Sequence, residues 1–333
     1  MSGSRLAVVA GLVAWAAWPA PALAGKRTYS VNGSGACLYW ASRSVTYRIN
    51  PTRGGTSPSC GPRSATDAGA AAAVEAGFSA WTGAQESCTD LSLARGADTS
   101  EQRVGYDQSG SNENLVVFRT GWCSENAAAK ADPCWTDPTV RCSDTYGCFE
   151  NTGSLAGNGI IALTTTTYVP ATGEIVDADM ELVDWTGTAG SFGSSSRVQG
   201  WYFTCVDPAT TSGQCTQYGE TDCYGMDLQN TATHEAGHFI GFAHTASASS
   251  TMYASAAVGE ISKRSLAPGD LHADTEGPGL CDVYPAGGAT LTCVQAASSS
   301  HGCGSAGGAG LLSLVPLLAL VAVRRGHRTT TAA

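Results

Sequence analysis

Between Thr233 and Thr245 the chain reads T-H-E-A-G-H-F-I-G-F-A-H-T, which gathers three of its six histidines into one short segment. No other stretch dictates so much local geometry. His234 and His238 are four residues apart, so on a helix they share a face and can both reach one ion. Glu235 lies next to the first imidazole, turned aside enough to hold a water rather than bind metal. Gly241 can leave helical geometry, which lets the chain turn and bring His244 in from another direction. Three neutral imidazoles leave a fourth zinc position open, as a catalytic site needs and a structural one does not.

The cysteines set the compartment. Thirteen in 333 residues point out of the reducing cytosol. Residues 1–24 read as a secretory signal peptide: Arg5, an apolar run from Leu6 to Trp18, and an Ala22-Leu23-Ala24 cleavage site. At the other end Cys303 precedes an apolar run from Ala306 to Val323 and then Arg324, Arg325, His327 and Arg328. That run is just long enough to span a bilayer, with the basic cluster holding the C-terminus inside. The layout resembles the myxobacterial C-terminal sorting signals. The resemblance implies processing near Cys303 by sorting machinery and display on the surface of a Gram-negative, myxobacterium-like cell, anchored or released. A plain membrane anchor is the alternative.

Setting both ends aside leaves residues 25–302, with an even dozen cysteines, as many as six disulfides require. The whole chain carries a net charge of −10; the trimmed part loses Arg5, Arg324, Arg325 and Arg328 but no acid, and becomes more acidic still. A nucleic-acid partner, which needs a basic footprint, is excluded.

Within 25–302 the periodicity predicts an alternating strand over 37–50 and a helix from Asp67 to Trp81 with Val74, Phe78 and Trp81 on one face. Short strands are expected over 91–94, 103–106 and 115–120. Residues 121–158, with Cys123, Cys134, Cys142 and Cys148, read as a disulfide-stapled insertion, because their spacing is too wide for a zinc ribbon. Strands follow at Gly159–Thr164 and Glu174–Trp185, then a second Cys-rich loop, a helix over 228–240 and an irregular C-terminal portion.

The extended zinc motif, with Ser250-Thr251-Met252-Tyr253 downstream, resembles the metzincin metallopeptidases and among them the matrixins. The VTYRIN strand, the Ala-rich helix and the closing Cys281-Asp282-Val283-Tyr284-Pro285 are similar too. The resemblance implies an α+β zincin fold: a twisted mixed sheet, an active-site helix, a second packing helix, an irregular C-terminal subdomain and disulfide-rich loops. It implies a zinc endopeptidase in which His234, His238 and His244 hold the metal. Glu235 acts as general base on a zinc-bound water, and Met252 lies beneath the ion as the Met-turn. Gly159, Ile161 and Ala162 would line the substrate edge, with the Ala162 backbone helping the oxyanion. A monomer acting on extracellular polypeptides is expected. The alternative is a catalytically silent adhesive or structural surface protein that keeps the fold.

Several features depart from the family pattern. Tyr253 directly follows Met252, one position short of the zinc-binding tyrosine of astacins and serralysins. No histidine occurs in 25–233, so a second, structural zinc is not expected. Cys60 belongs to no propeptide switch and reads as disulfide-bonded, and the segment 274–285 receives no role. Asp177, Asp179 and Glu181 fall on one strand face, where like charges need either solvent or a cation. Calcium suits such oxygens, and matrixins bind it near this strand; a solvated acidic face is the other reading.

Overall fold

The computed structural model describes residues 27–30, 36–52, 60, 68–120, 123, 132–137, 140–150, 160–184, 203–214, 223–293 and 328–332. The signal peptide, Gly159, Cys215, Cys303 and the apolar run 306–323 lie outside the described residues.

In chain order the elements are β1 (Ser44–Ile49), α1 (Ala68–Ser79), β2 (Ser92–Arg95), β3 (Asn114–Thr120), α2 (Pro133–Thr136), α3 (Cys142–Tyr146), β4 (Ala162–Tyr168) and β5 (Ile175–Asp184). There follow β6 (Phe203–Thr204), β7 (Met226–Asp227), α4 (Leu228–Phe239), α5 (Pro268–Leu271), α6 (Leu280–Val283) and β8 (Arg328–Ala332). The main sheet runs β2-β1-β3-β5-β4-β8. Its first four strands are parallel, while β4 is antiparallel to β5 and β8 antiparallel to β4. This is the mixed sheet of a metzincin-like α+β fold.

The packing follows from the periodicities. In β1, Val45, Tyr47 and Ile49 point inward between exposed or half-buried neighbours. Tyr47 stacks on Phe78 of α1 with centroids 3.8 Å apart, and Phe78 meets Phe239 of α4 edge-on at 5.1 Å. One aromatic column thus joins sheet, α1 and α4. Apart from Gln229, every residue of α4 is buried. A helix so enclosed must satisfy its polar groups internally.

Five disulfides join described residues: Cys37–Cys293, Cys60–Cys205, Cys88–Cys281, Cys123–Cys148 and Cys134–Cys142. Cys223 is also bonded, to a partner outside the described residues. The insertion after β3 is stapled as expected, and Arg119 of β3 ties it to the sheet. That guanidinium donates to Glu181 at 2.7 Å, to the Ser143 carbonyl at 2.7 Å and to Asp144 at 3.1 Å.

One expectation needs correction. Residues 103–106 form no strand: Gly105 turns at φ +100 and sends its N–H to Asp179 instead. Within the stretch beyond 302, β8 pairs along β4 from Leu163↔Ala332 to Thr167↔Arg328.

Candidate active site

Helix α4 starts under tight control. The Asp227 side chain caps it by accepting from the Asn230 N–H at 2.7 Å, satisfying one of the N–H groups that a first turn leaves open. Asp227 is itself ion-paired with Arg264. At the far end the Trp40 indole donates to the Phe239 carbonyl at 2.8 Å and the Tyr284 hydroxyl to the Ile240 carbonyl at 2.8 Å. Both carbonyls belong to the last turn, which has no helical donors left for them. Gly241 then takes φ +93 with its Cα pressed on the Leu38 carbonyl, where a Cβ would come to 2.3 Å. The chain reverses there, and His244 faces back toward the helix.

The structure brings His234, His238 and His244 together, with one ligand nitrogen from each lying within 4.8 Å of the others. The His234 and His238 rings are buried, and burial pushes both well below their ordinary pKa, His234 to about 3. Their tautomers are fixed from outside. His234 Nδ1 lies 2.7 Å from the Thr251 carbonyl and His238 Nδ1 2.8 Å from the Phe242 carbonyl. A carbonyl cannot donate, so both Nδ1 atoms carry the proton and both Nε2 atoms are bare lone pairs. These two lone pairs face each other at 3.1 Å. Two acceptors in that position repel unless a cation sits between them. Two imidazoles on a tetrahedral zinc, at about 2.0–2.1 Å each, stand about 3.3 Å apart, so the donor set fits that ion.

Glu235 is fully buried, and burial raises its carboxyl to about 8, against the pull of a hydrogen bond from Thr164. The Thr164 hydroxyl donates to Oε2 at 2.5 Å, while Oε1 is buried with no hydrogen-bond partner among the described residues. Thr164 is in β4, so strand and helix meet at this carboxylate. The Ile161 carbonyl accepts from the Val183 N–H at 2.8 Å, so its backbone faces β5. By the alternation of a strand, the backbone groups of Ala162, Thr164 and Thr166 face the opposite edge.

Met252 is buried beneath the helix against Gly237, where an added Cβ would lie 2.2 Å from the Met252 sulfur. Its turn is held by a residue that the sequence reading passed over. Buried Asp270 accepts from the Ser250 hydroxyl at 2.5 Å, from the Thr251 N–H at 2.9 Å and from the Ala267 N–H at 3.0 Å. Through Thr251 it therefore also sets the carbonyl that orients His234. Its only sequence signal is its place two residues after Pro268, at the start of α5. The Tyr253 ring lies against the Lys263 ammonium at 5.2 Å.

Asp177, Asp179 and Glu181 do share a face of β5, but all three are buried, and protein donors hold Asp179 and Glu181. Asp179 accepts from the Leu115 N–H at 2.9 Å and the Gly105 N–H at 2.5 Å. Glu181 pairs with Arg119 at 2.7 Å and lies 3.6 Å from Arg141. Neither solvent nor a bound cation is what balances Glu181. Among the described residues, the histidine triad is the only group of three or more His, Cys, Asp or Glu arranged to hold a metal.

The fold and this site together define a metzincin-like protein. Residues 164–276 match the model of the matrixin family, from β4 through β5, α4 and the Met-turn to just past α5. That match points to zinc metallopeptidase chemistry. No curated protein was found to match the chain.

Proposed function

We propose that the protein is a zinc-dependent endopeptidase that hydrolyses peptide bonds in extracellular proteins. The observation that carries this reading is the pair of converging Nε2 lone pairs of His234 and His238, beside a carboxylate with one oxygen uncommitted. His234, His238 and His244 would hold zinc, which would supply Lewis acidity and lower the pKa of a bound water. The chain does the rest. Thr164 fixes one oxygen of Glu235, and Oε1 takes a proton during attack and hands it to the leaving amine. The outward N–H and C=O groups of β4 hold an extended polypeptide as an added strand, which suits an internal stretch of substrate. The outward N–H of Ala162 stabilises the developing oxyanion.

Residues 25–302 act as the peptidase domain, residues 1–24 as the export signal, and residues 303–333 as the sorting and anchoring segment processed at Cys303. The hydropathy of both ends and the even cysteine number between them support this division.

Digestion of protein substrates by the purified chain, with a chelator control, tests the reading. Glu235→Ala should retain zinc but lose roughly 100-fold or more of the cleavage rate. His244→Ala should lose both zinc and cleavage. Wild-type turnover by Glu235→Ala would sink the mechanism.

A further inference from the structure

The β4 edge assigned to substrate is already covered by the chain itself. Residues Arg328–Ala332 lie along it as β8, antiparallel, over the whole stretch Leu163–Thr167. The alternation set by Ile161 makes Thr164 and Thr166 the β4 residues whose backbone groups face β8. Their opposite numbers are Thr331 and Thr329. Thr331 thus lies directly across from Thr164, the residue whose hydroxyl holds Glu235. The tail strand runs past the strand at the level of the reacting carboxylate.

We propose that residues 328–332 are a built-in pseudosubstrate strand, which keeps the peptidase latent until the tail is withdrawn. The proposal rests on the peptidase reading above and names how that site is restrained. An edge strand offers one row of main-chain donors and acceptors, and a row paired with β8 cannot pair with a substrate. The tail is tethered, so its effective concentration is on the order of millimolar or above and a modest intrinsic affinity suffices. Withdrawal follows from the sequence. Were the apolar run 306–323 to span a bilayer, residues 328–332 would lie on the far side of it from the catalytic domain. Pairing with β4 and anchoring in a membrane therefore exclude each other. Insertion of the tail, or its removal, opens the edge only once the protein has reached its destination.

The test uses the full chain, zinc-loaded, beside a Thr329→Pro/Thr331→Pro variant, which lacks both N–H groups that face β4. Two readouts are taken: amide hydrogen exchange at Thr164 and Thr166, and kcat/KM on a peptide substrate at equal zinc content. The expected result is exchange at least 10-fold faster at both amides in the variant, with kcat/KM raised at least 10-fold. Equal exchange in the two chains overturns the proposal whatever the activity. Faster exchange with unchanged kcat/KM in active chains overturns the latency while leaving the strand pairing. Faster exchange in chains that both bind zinc and cleave nothing leaves the strand in place and removes the peptidase reading instead.

Discussion

Asp179 shows how much a single buried carboxylate can weigh. Burial, and then the charge of Asp177 two residues away, raise its pKa well above the ordinary value, against the pull of the Leu115 and Gly105 N–H groups. The folded state therefore keeps this proton at pH values where the unfolded chain has released it. Its contribution is greatest at or below the ordinary carboxylate range and is lost as pH rises through the raised folded value. Thermal melts of the zinc-saturated protein across pH 4–7 should reveal that decline. Asp179→Asn, which gives up one acceptor, should lower Tm at every pH but flatten the dependence; an unchanged slope would show that Asp179 does not set it. At this scale the clustering of the histidines was plain in the sequence, because helical spacing alone puts His234 and His238 on one face. Asp270 and Thr164 were not, because each works through a partner far along the chain. The partners of Glu181 were equally hidden: Arg119 belongs to another strand and Arg141 to the stapled insertion.

At the scale of elements, α4 is held at both ends by side chains from elsewhere, and its exit is decided by Gly241. A Cβ there would strike the Leu38 carbonyl, and φ +93 is a conformation that other residues rarely adopt. Gly241→Ala should therefore shift the turn that presents His244, weakening zinc binding by about tenfold for each 1.4 kcal/mol of strain that the bound state must absorb. Competition with a chromogenic chelator measures it, and an affinity equal to wild type would mean that the turn has slack. Among the long elements, β1 was legible from its alternation of buried and open positions, β4 from its β-branched run and α4 from the spacing of its histidines. The pieces α2 and α3 carried no such pattern. They are short turns fastened by Cys134–Cys142 and, for α2, by the Asp132 cap. Nor did periodicity announce β8, whose five residues make a strand only because β4 offers them an edge.

Over the whole molecule, the cysteine parity was readable but the pairing was not, since partners become neighbours only after the sheet and helices have assembled. Cys37–Cys293 and Cys88–Cys281 bind the start of the domain to the irregular segment after α4, across separations of 256 and 193 residues. The second of these anchors α6, whose neighbour Tyr284 holds the Ile240 carbonyl at the C-cap of α4. Core closure and site geometry are thus coupled through one bridge. Removing it opens a long loop in the unfolded chain, although Cys37–Cys293 already shortens that loop. Chain entropy then assigns it about 4 kcal/mol, against about 2.5 kcal/mol for Cys134–Cys142, whose ends are only 8 residues apart. Paired Cys→Ser variants at each bridge, unfolded in guanidinium, should show the larger loss of midpoint for Cys88/Cys281. That variant should also bind zinc more weakly at 25 °C, because the Tyr284 contact to α4 loosens with α6. The Cys134/Cys142 variant should bind zinc as the wild type does, its bridge lying in the insertion beyond β3. Equal zinc affinity in both variants would separate the stability of the fold from the geometry of the site.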